Sequence, residues 1–189
     1  MNCYFYLKNF AFSLLVTIIP TNIYSQEVSS HLPIDLYPDF DQKKIKRLPV
    51  LLSEQAELFQ KAILDNKLDV SLLEKNTQEI QALYSFIYGT IKGKDFNPIF
   101  QRYCALLLQY IQAAKSKSAE ARLISQQLLE TSNALGQFLE NSDLKKVTTL
   151  AIQETDAYLK GYKEQGDHFH QELLNSLQEL SSHIVSSVE

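Results

Sequence analysis

Cysteine is scarce in this chain, and its scarcity excludes a fold held together by disulfide bonds. The 189 residues contain two cysteines, and Cys3 lies in an N-terminal segment that the sequence predicts to be removed. The remaining Cys104 cannot form an intramolecular disulfide, so packing must hold the fold. Cys104 lies in the apolar run from Tyr103 to Leu108 and is predicted to be a small buried hydrophobic residue. A reactive thiol or an intermolecular bridge is the alternative.

Glycine is also rare, and the five glycines form no glycine-rich motif that binds nucleotides or positions a nucleophile. The segment GTIKGKD, Gly89 to Asp95, invites comparison with a phosphate-binding loop. Its spacing is too short, however, and Asp95 stands where a hydroxyl should hold magnesium. The segment is therefore interpreted as the end of a helix, with glycine and lysine near the last carbonyl groups.

Histidine is confined almost entirely to the C-terminal end, where His168 and His170 stand two positions apart. On a helix these two side chains point in different directions, so they cannot bind one metal ion together. His168 is four residues from Glu164 and from Glu172, a spacing typical of exposed ion pairs. The Glu-x-x-His pairs of di-iron bundles do not occur. The sequence thus predicts no catalytic residue, no metal and no cofactor, and a protein that is not an enzyme.

Neither sign of charge is in large excess. The net charge of -4 at pH 7 arises from 18 basic and 22 acidic residues that are interspersed along the chain. Nucleic acid is therefore not expected as a partner. The one basic cluster, residues 43 to 47, closely follows acidic residues at 35, 39 and 41, and is interpreted as a solvated linker.

The first 25 residues have the features of a secretory signal peptide. Lys8 supplies the positive start, Phe10 to Ile19 the apolar core, and Ser25 the small residue before the predicted cut. Two alternatives stay open: an uncleaved inner-membrane anchor from Tyr4 to Tyr24, and a core helix of a cytosolic protein. The protein is predicted to be periplasmic or secreted, and to contact a membrane only if residues 1–25 are retained.

The prolines divide the mature chain into two parts. Three of them crowd residues 33 to 49, one stands at position 98, and none follows. Because proline interrupts helices, residues 26–48 are predicted to form an extended arm and residues 49–189 a helical domain. Leu32, Ile34 and Leu36 alternate with other residues in the arm, as expected of a segment that packs along the body or docks onto a partner.

From Pro49 onwards apolar residues recur every three to four positions, the period of an amphipathic helix. The first helix is predicted to end at Asp65. A second begins at Asp69 or Ser71 and carries Ile91 on its apolar face before it ends at Gly93.

The later helices follow the same pattern. The third is predicted to start with Asn97 as its cap and Pro98 in its first turn, and to end near Lys115. A fourth starts at about residue 119 and a fifth after Asp143. Gly166 and Asp167 separate the fifth from a sixth helix, although one kinked helix over residues 143–187 is an open alternative. The predicted fold is an all-α antiparallel bundle of five or six helices, preceded by a signal peptide and an extended arm containing proline.

Aromatic residues are concentrated between positions 84 and 110, mostly at helical spacing typical of a core. Phe86 and Phe96 fall off this spacing and are predicted to form an exposed contact for a partner, together with Leu32, Ile34 and Leu36 of the arm. The sequence therefore predicts an exported helical-bundle protein that binds another protein and uses no cofactor. The alternative is an envelope-associated or membrane-anchored component of a secretion or cell-envelope machine.

Overall fold

The computed structural model describes residues 44–65, 70–139 and 143–186, and these residues form six α-helices without a strand. The predicted all-α bundle is therefore confirmed, with six helices rather than five. The signal peptide predicted for residues 1–25 lies outside the described residues. The helices are α1 (Leu48–Leu64), α2 (Val70–Tyr88), α3 (Thr90–Lys115), α4 (Ala121–Phe138), α5 (Leu144–Leu159) and α6 (Lys163–Ser186).

Each helix packs against the next one along the chain, and α1 also packs against α6, which closes the ring. Helices α1, α3 and α5 contact one another in addition and form its centre. Side-chain bonds show that α1 and α2 run antiparallel, because Asn76 donates to the Leu51 carbonyl while Arg47 reaches Glu79. Short connections between amphipathic helices favour this up-and-down arrangement.

The core consists of the apolar stripes predicted from the helical period. Leu51, Ile111, Leu128 and Leu135 are at most 2% exposed. Fully burying a side chain of this size stabilises the fold by about 1.5–3 kcal/mol relative to leaving it in water. Among the described residues no helix has both the length and the apolar character needed to cross a membrane.

Helical structure begins before the predicted start of the helical domain at residue 49. Residues 26–43 lie outside the described residues, but Lys44 to Arg47 form a helical turn in which the Arg47 amide donates to the Lys44 carbonyl at 3.0 Å. Helix α1 follows at Leu48, with Pro49 in its first turn. Proline is tolerated there because the first amides of a helix have no partner within it. The predicted boundary between residues 48 and 49 therefore falls inside helical structure.

The predicted boundary between the second and third helices is wrong. The chain breaks at Gly89, whose φ of +88° is accessible to glycine and rarely to other residues, and α3 begins directly at Thr90. Gly93 therefore lies inside α3, and Pro98 lies inside it rather than in its first turn. A Cβ at Gly93 would come within 2.7 Å of Ser85 Cβ, so the missing side chain permits the close approach of α2 and α3.

The break between the fifth and sixth helices also lies elsewhere than predicted. Two helices are present, and α5 ends in a Schellman motif in which Gly161 has a φ of +81° and the Tyr162 amide donates to the Ala157 carbonyl. Gly166, the predicted terminator, lies in the first turn of α6. It packs against Tyr158, whose ring a Cβ at Gly166 would meet at 2.7 Å.

The turn between α3 and α4 confirms the predicted end near Lys115. It is a second Schellman motif, in which the Ser118 amide donates to the Ala113 carbonyl and the Lys117 amide to Ala114. Lys117 occupies the left-handed region with a φ of 53°, where glycine is usual. The Lys115 ammonium donates to the Ala62 and Asp65 carbonyls at 2.8 Å each, which satisfies the C-terminal end of α1.

Candidate interaction surface and buried polar pair

Phe86 is the predicted contact residue that the structure leaves exposed. It lies in the last turn of α2, and 44% of its surface is accessible. The Lys44 ammonium lies 4.8 Å from the centre of its ring, within the range of a cation–π contact. This contact restrains the ring while leaving much of its surface in water.

The exposure predicted for Phe96 is wrong. Its side chain is 3% exposed and stacks against Tyr84, with ring centres 3.8 Å apart, and against Phe100 at 5.1 Å. The error follows from the misplaced helix boundary. Because α3 starts at Thr90, Phe96 and Phe100 are four residues apart on the same helix and share its buried face. The other predicted contact residues, Leu32, Ile34 and Leu36, lie outside the described residues.

Ile91 is exposed although the sequence placed it on a buried helix face. It is 82% exposed, since the chain turns at Gly89 and Ile91 begins a new helix instead of continuing α2. On the same turn the Lys92 ammonium lies 5.5 Å from the ring centre of Tyr88. We call the segment Phe86–Lys92 the α2–α3 corner. It exposes Phe86 and Ile91, and the ammonium groups of Lys44 and Lys92 lie over the rings of Phe86 and Tyr88.

A buried ionisable pair joins α5 to α6. His170 Nδ1 and Glu154 Oε1 lie 2.8 Å apart, and the two side chains are 13% and 3% exposed. The ring N–H donates and the carboxylate accepts. Nothing in the spacing of the sequence indicated this pair, because its members lie on different helices. The predicted exposed pair of His168 with Glu172 is present, at 3.4 Å and with side chains 66% and 46% exposed.

A second polar contact lies one helical turn further along α5. The Tyr158 hydroxyl donates to Asp167 Oδ1 at 2.6 Å and accepts from Gln60 Nε2 at 2.9 Å, so it joins α5 to both α6 and α1. Burial raises the pKa of Tyr158 above its ordinary value, and the nearby Asp167 carboxylate raises it further. Tyr158 therefore stays a neutral hydrogen-bond donor throughout the physiological range.

Apolar space with a volume of about 80 Å³ extends between the helices, and side chains from all six of them line it. Its walls are mostly apolar and include the rings of Phe59, Phe96 and Phe100. Glu154, one member of the buried pair, is among the residues that line it.

Cys104 is buried, which confirms the predicted structural role of this residue. Burial raises the pKa of its thiol to about 12, so the reactive thiolate is scarce at neutral pH. Gln55 Nε2 lies 3.5 Å from its sulfur and 3.3 Å from Thr77 Oγ1. Within residues 44–65, 70–139 and 143–186, no three residues of the types His, Cys, Asp and Glu are grouped so that they could hold a metal ion.

Comparison of the chain with protein-family models, with curated proteins and with solved structures found no match.

Proposed function

We propose that this chain is an exported helical-bundle protein that binds another protein through the α2–α3 corner and catalyses no reaction. The observation that carries the proposal is the exposure of Phe86 and Ile91, at 44% and 82%, on either side of the Gly89 turn. The proposed export rests on the basic start and apolar core that precede Ser25.

The corner has the chemistry of a protein contact. Aromatic side chains dominate interface energetics because they supply a large contact area and lose little conformational entropy on binding. The Phe86 ring is already restrained beneath the Lys44 ammonium, which lowers the ordering cost further. Covering a side chain such as Ile91 completely on binding contributes about 1.5–3 kcal/mol.

Affinity capture with paired variants tests the proposal. The full-length chain with a C-terminal tag is expressed, and the proteins that co-purify with it from the exported fraction are quantified by mass spectrometry. Phe86→Ala with Ile91→Ala should abolish capture of the specific partner. Leu123→Ala is the matched control, since Leu123 is 58% exposed on α4. A partner captured equally by the corner variant, with unchanged helix content, would place the contact elsewhere.

An envelope-associated component is the second candidate, and the apolar run from Phe10 to Ile19 favours it if that run is retained. The intact mass of the chain recovered from fractionated cells separates the two. A soluble exported protein that lacks residues 1–25 supports the binding module. An uncut chain in the membrane fraction supports the anchored component, whereas an uncut cytosolic chain contradicts both.

A further inference from the structure

We propose that the partner of the α2–α3 corner presents an acidic surface with an apolar centre, and that lysines at the same end of the bundle select it. This inference concerns the corner already assigned to a protein partner, so it rests on the proposed function. It adds the chemical class of the partner, which the exposure of Phe86 and Ile91 alone does not define.

Helices α1, α3 and α5 begin at the same end of the bundle, the end that carries the corner. Four side-chain contacts link matching positions along these helices. The pairs are Gln55 with Cys104 at 3.5 Å, Ala62 with Lys115 at 2.8 Å, Tyr103 with Thr148 at 3.1 Å, and Tyr110 with Asp156 at 2.6 Å. Because both members of the pairs advance together along the chain, the three helices run parallel and their N-terminal ends lie together.

This end is basic although the whole chain is acidic. The described segments at the starts of the three helices are residues 44–47, 89–95 and 143–146, which we call the basic end. They hold seven of the 18 basic residues of the chain and two of its 22 acidic residues. The seven are all exposed: Lys44, Lys46, Arg47, Lys92, Lys94, Lys145 and Lys146. Arg47 pairs with Glu79 at 2.7 Å, so the lysines supply the local excess of positive charge.

The lysines of the basic end do not stabilise the helices on which they lie. The first amides of a helix attract negative charge and disfavour cations by about 0.3–1 kcal/mol. Lys92 lies in the first turn of α3, and Lys145 and Lys146 lie in that of α5, and neither turn holds an acidic residue. Exposed residues that break a local stability rule are typical of a functional surface.

Two of these charges are held in place at the corner. The Lys44 ammonium lies 4.8 Å from the ring centre of Phe86, and the Lys92 ammonium lies 5.5 Å from that of Tyr88. Lysines restrained in this way lose less conformational entropy when they pair with carboxylates at fixed positions. This favours a folded protein over a lipid or nucleic-acid surface, whose charges are mobile or repetitive. The surface that fits is an apolar side chain flanked by aspartate or glutamate.

Two synthetic helical peptides test the charge preference. Both carry leucine along one face, and the other face is glutamate in one peptide and lysine in its counterpart. Isothermal titration calorimetry with the full chain measures both dissociation constants in about 0.1 M salt, where the screening length is about 10 Å. We expect the acidic peptide to bind at least about ten times more tightly than the basic one, because its carboxylates pair with the lysines.

Paired charge reversals locate the contact. Lys92→Glu with Lys94→Glu should weaken binding of the acidic peptide about tenfold. Arg122→Glu with Lys163→Glu is the matched control, because both residues are exposed at helix starts at the opposite end of the bundle. This control should bind the acidic peptide as tightly as the unaltered chain. Far-UV circular dichroism checks that each variant keeps its helix content.

Three results of the titrations would overturn the inference: equal binding of the two peptides, no binding of either at about 1 mM, or equal binding by the charge reversal and its control. Binding to phosphatidylserine vesicles or to a DNA duplex, without binding to the acidic peptide, would also overturn it. The basic end would then belong to a lipid or nucleic-acid surface.

Affinity capture separates this inference from the proposed function. A partner lost with both Phe86→Ala with Ile91→Ala and Lys92→Glu with Lys94→Glu supports both. A partner lost only with the first pair keeps the proposed function and overturns its acidic class. A partner lost with neither pair removes the proposed function and this inference with it.

Discussion

Removing His170 should destabilise the fold far more than removing its neighbour His168. Both histidines belong to α6 and both lie beside a glutamate, at 2.8 Å for His170 with Glu154 and 3.4 Å for His168 with Glu172. They differ in burial, because the partners of the first pair are 13% and 3% exposed and those of the second 66% and 46%. The two variants therefore compare a buried contact between helices with an exposed contact within one helix.

The magnitude follows from that difference. Truncating His170 leaves the buried Glu154 carboxylate without its donor, and removing one partner of such a buried contact costs about 3–5 kcal/mol because the remaining charge is uncompensated. An exposed pair contributes about 0–1 kcal/mol. We expect His170→Ala to lower the free energy of unfolding by about 3 kcal/mol or more, out of a total of about 5–15 kcal/mol. For His168→Ala we expect a change below about 0.5 kcal/mol.

Urea unfolding at pH 7 measures both values. The chain has no tryptophan, so helix content is followed by circular dichroism at about 222 nm. With an m-value of about 2 kcal/mol per molar urea, His170→Ala should shift the midpoint by about 1.5 M or more. The double variant Glu154→Leu with His170→Leu should recover most of the loss, because hydrophobic replacement removes the uncompensated charge. A loss below about 1 kcal/mol for His170→Ala would refute the reasoning.

Three further predictions concern the turns and the core. Gly93→Ala should lower the free energy of unfolding, measured by thermal unfolding, by about 1–3 kcal/mol, because its Cβ would lie 2.7 Å from Ser85 Cβ. Ser85→Gly in the same chain should restore stability. An unchanged free energy for Gly93→Ala would mean that α2 and α3 separate easily. Lys117→Gly should raise the melting temperature, because Lys117 has a φ of 53°, and a lower temperature would contradict strain there. Burial raises the pKa of Tyr103 from 10.0 to about 12. Between these two pH values the folded state keeps a proton that the unfolded state loses. The free energy of unfolding should therefore fall as the pH rises from 10 to 12. Tyr103→Phe should reduce that slope in urea unfolding at pH 9 and 11, and an unchanged slope would assign the effect to other groups.

The helical period of the apolar residues predicted the fold class, because this period depends only on how residues are spaced along one segment of the chain. Burying the stripes that contain Leu51, Ile111 and Leu135 requires neighbouring helices, whatever their order. The helix boundaries were less predictable. Gly93 and Gly166 are glycines of the kind that often end helices, but here they allow close packing against Ser85 and Tyr158. Glycine permits a turn and also permits a close helix contact, and sequence does not distinguish the two uses.

The candidate sites also combine features that the sequence predicted with features that only the structure showed. Composition and spacing predicted that this chain forms amphipathic helices and that Cys104 is buried, and the structure confirms both. Tertiary structure alone decided that Phe96 is buried while Ile91 is exposed, and that Glu154 meets His170. The physical reason is that burial of an apolar stripe is a property of one helix, whereas the position of a turn and the partner of a buried charge depend on which helices pack together.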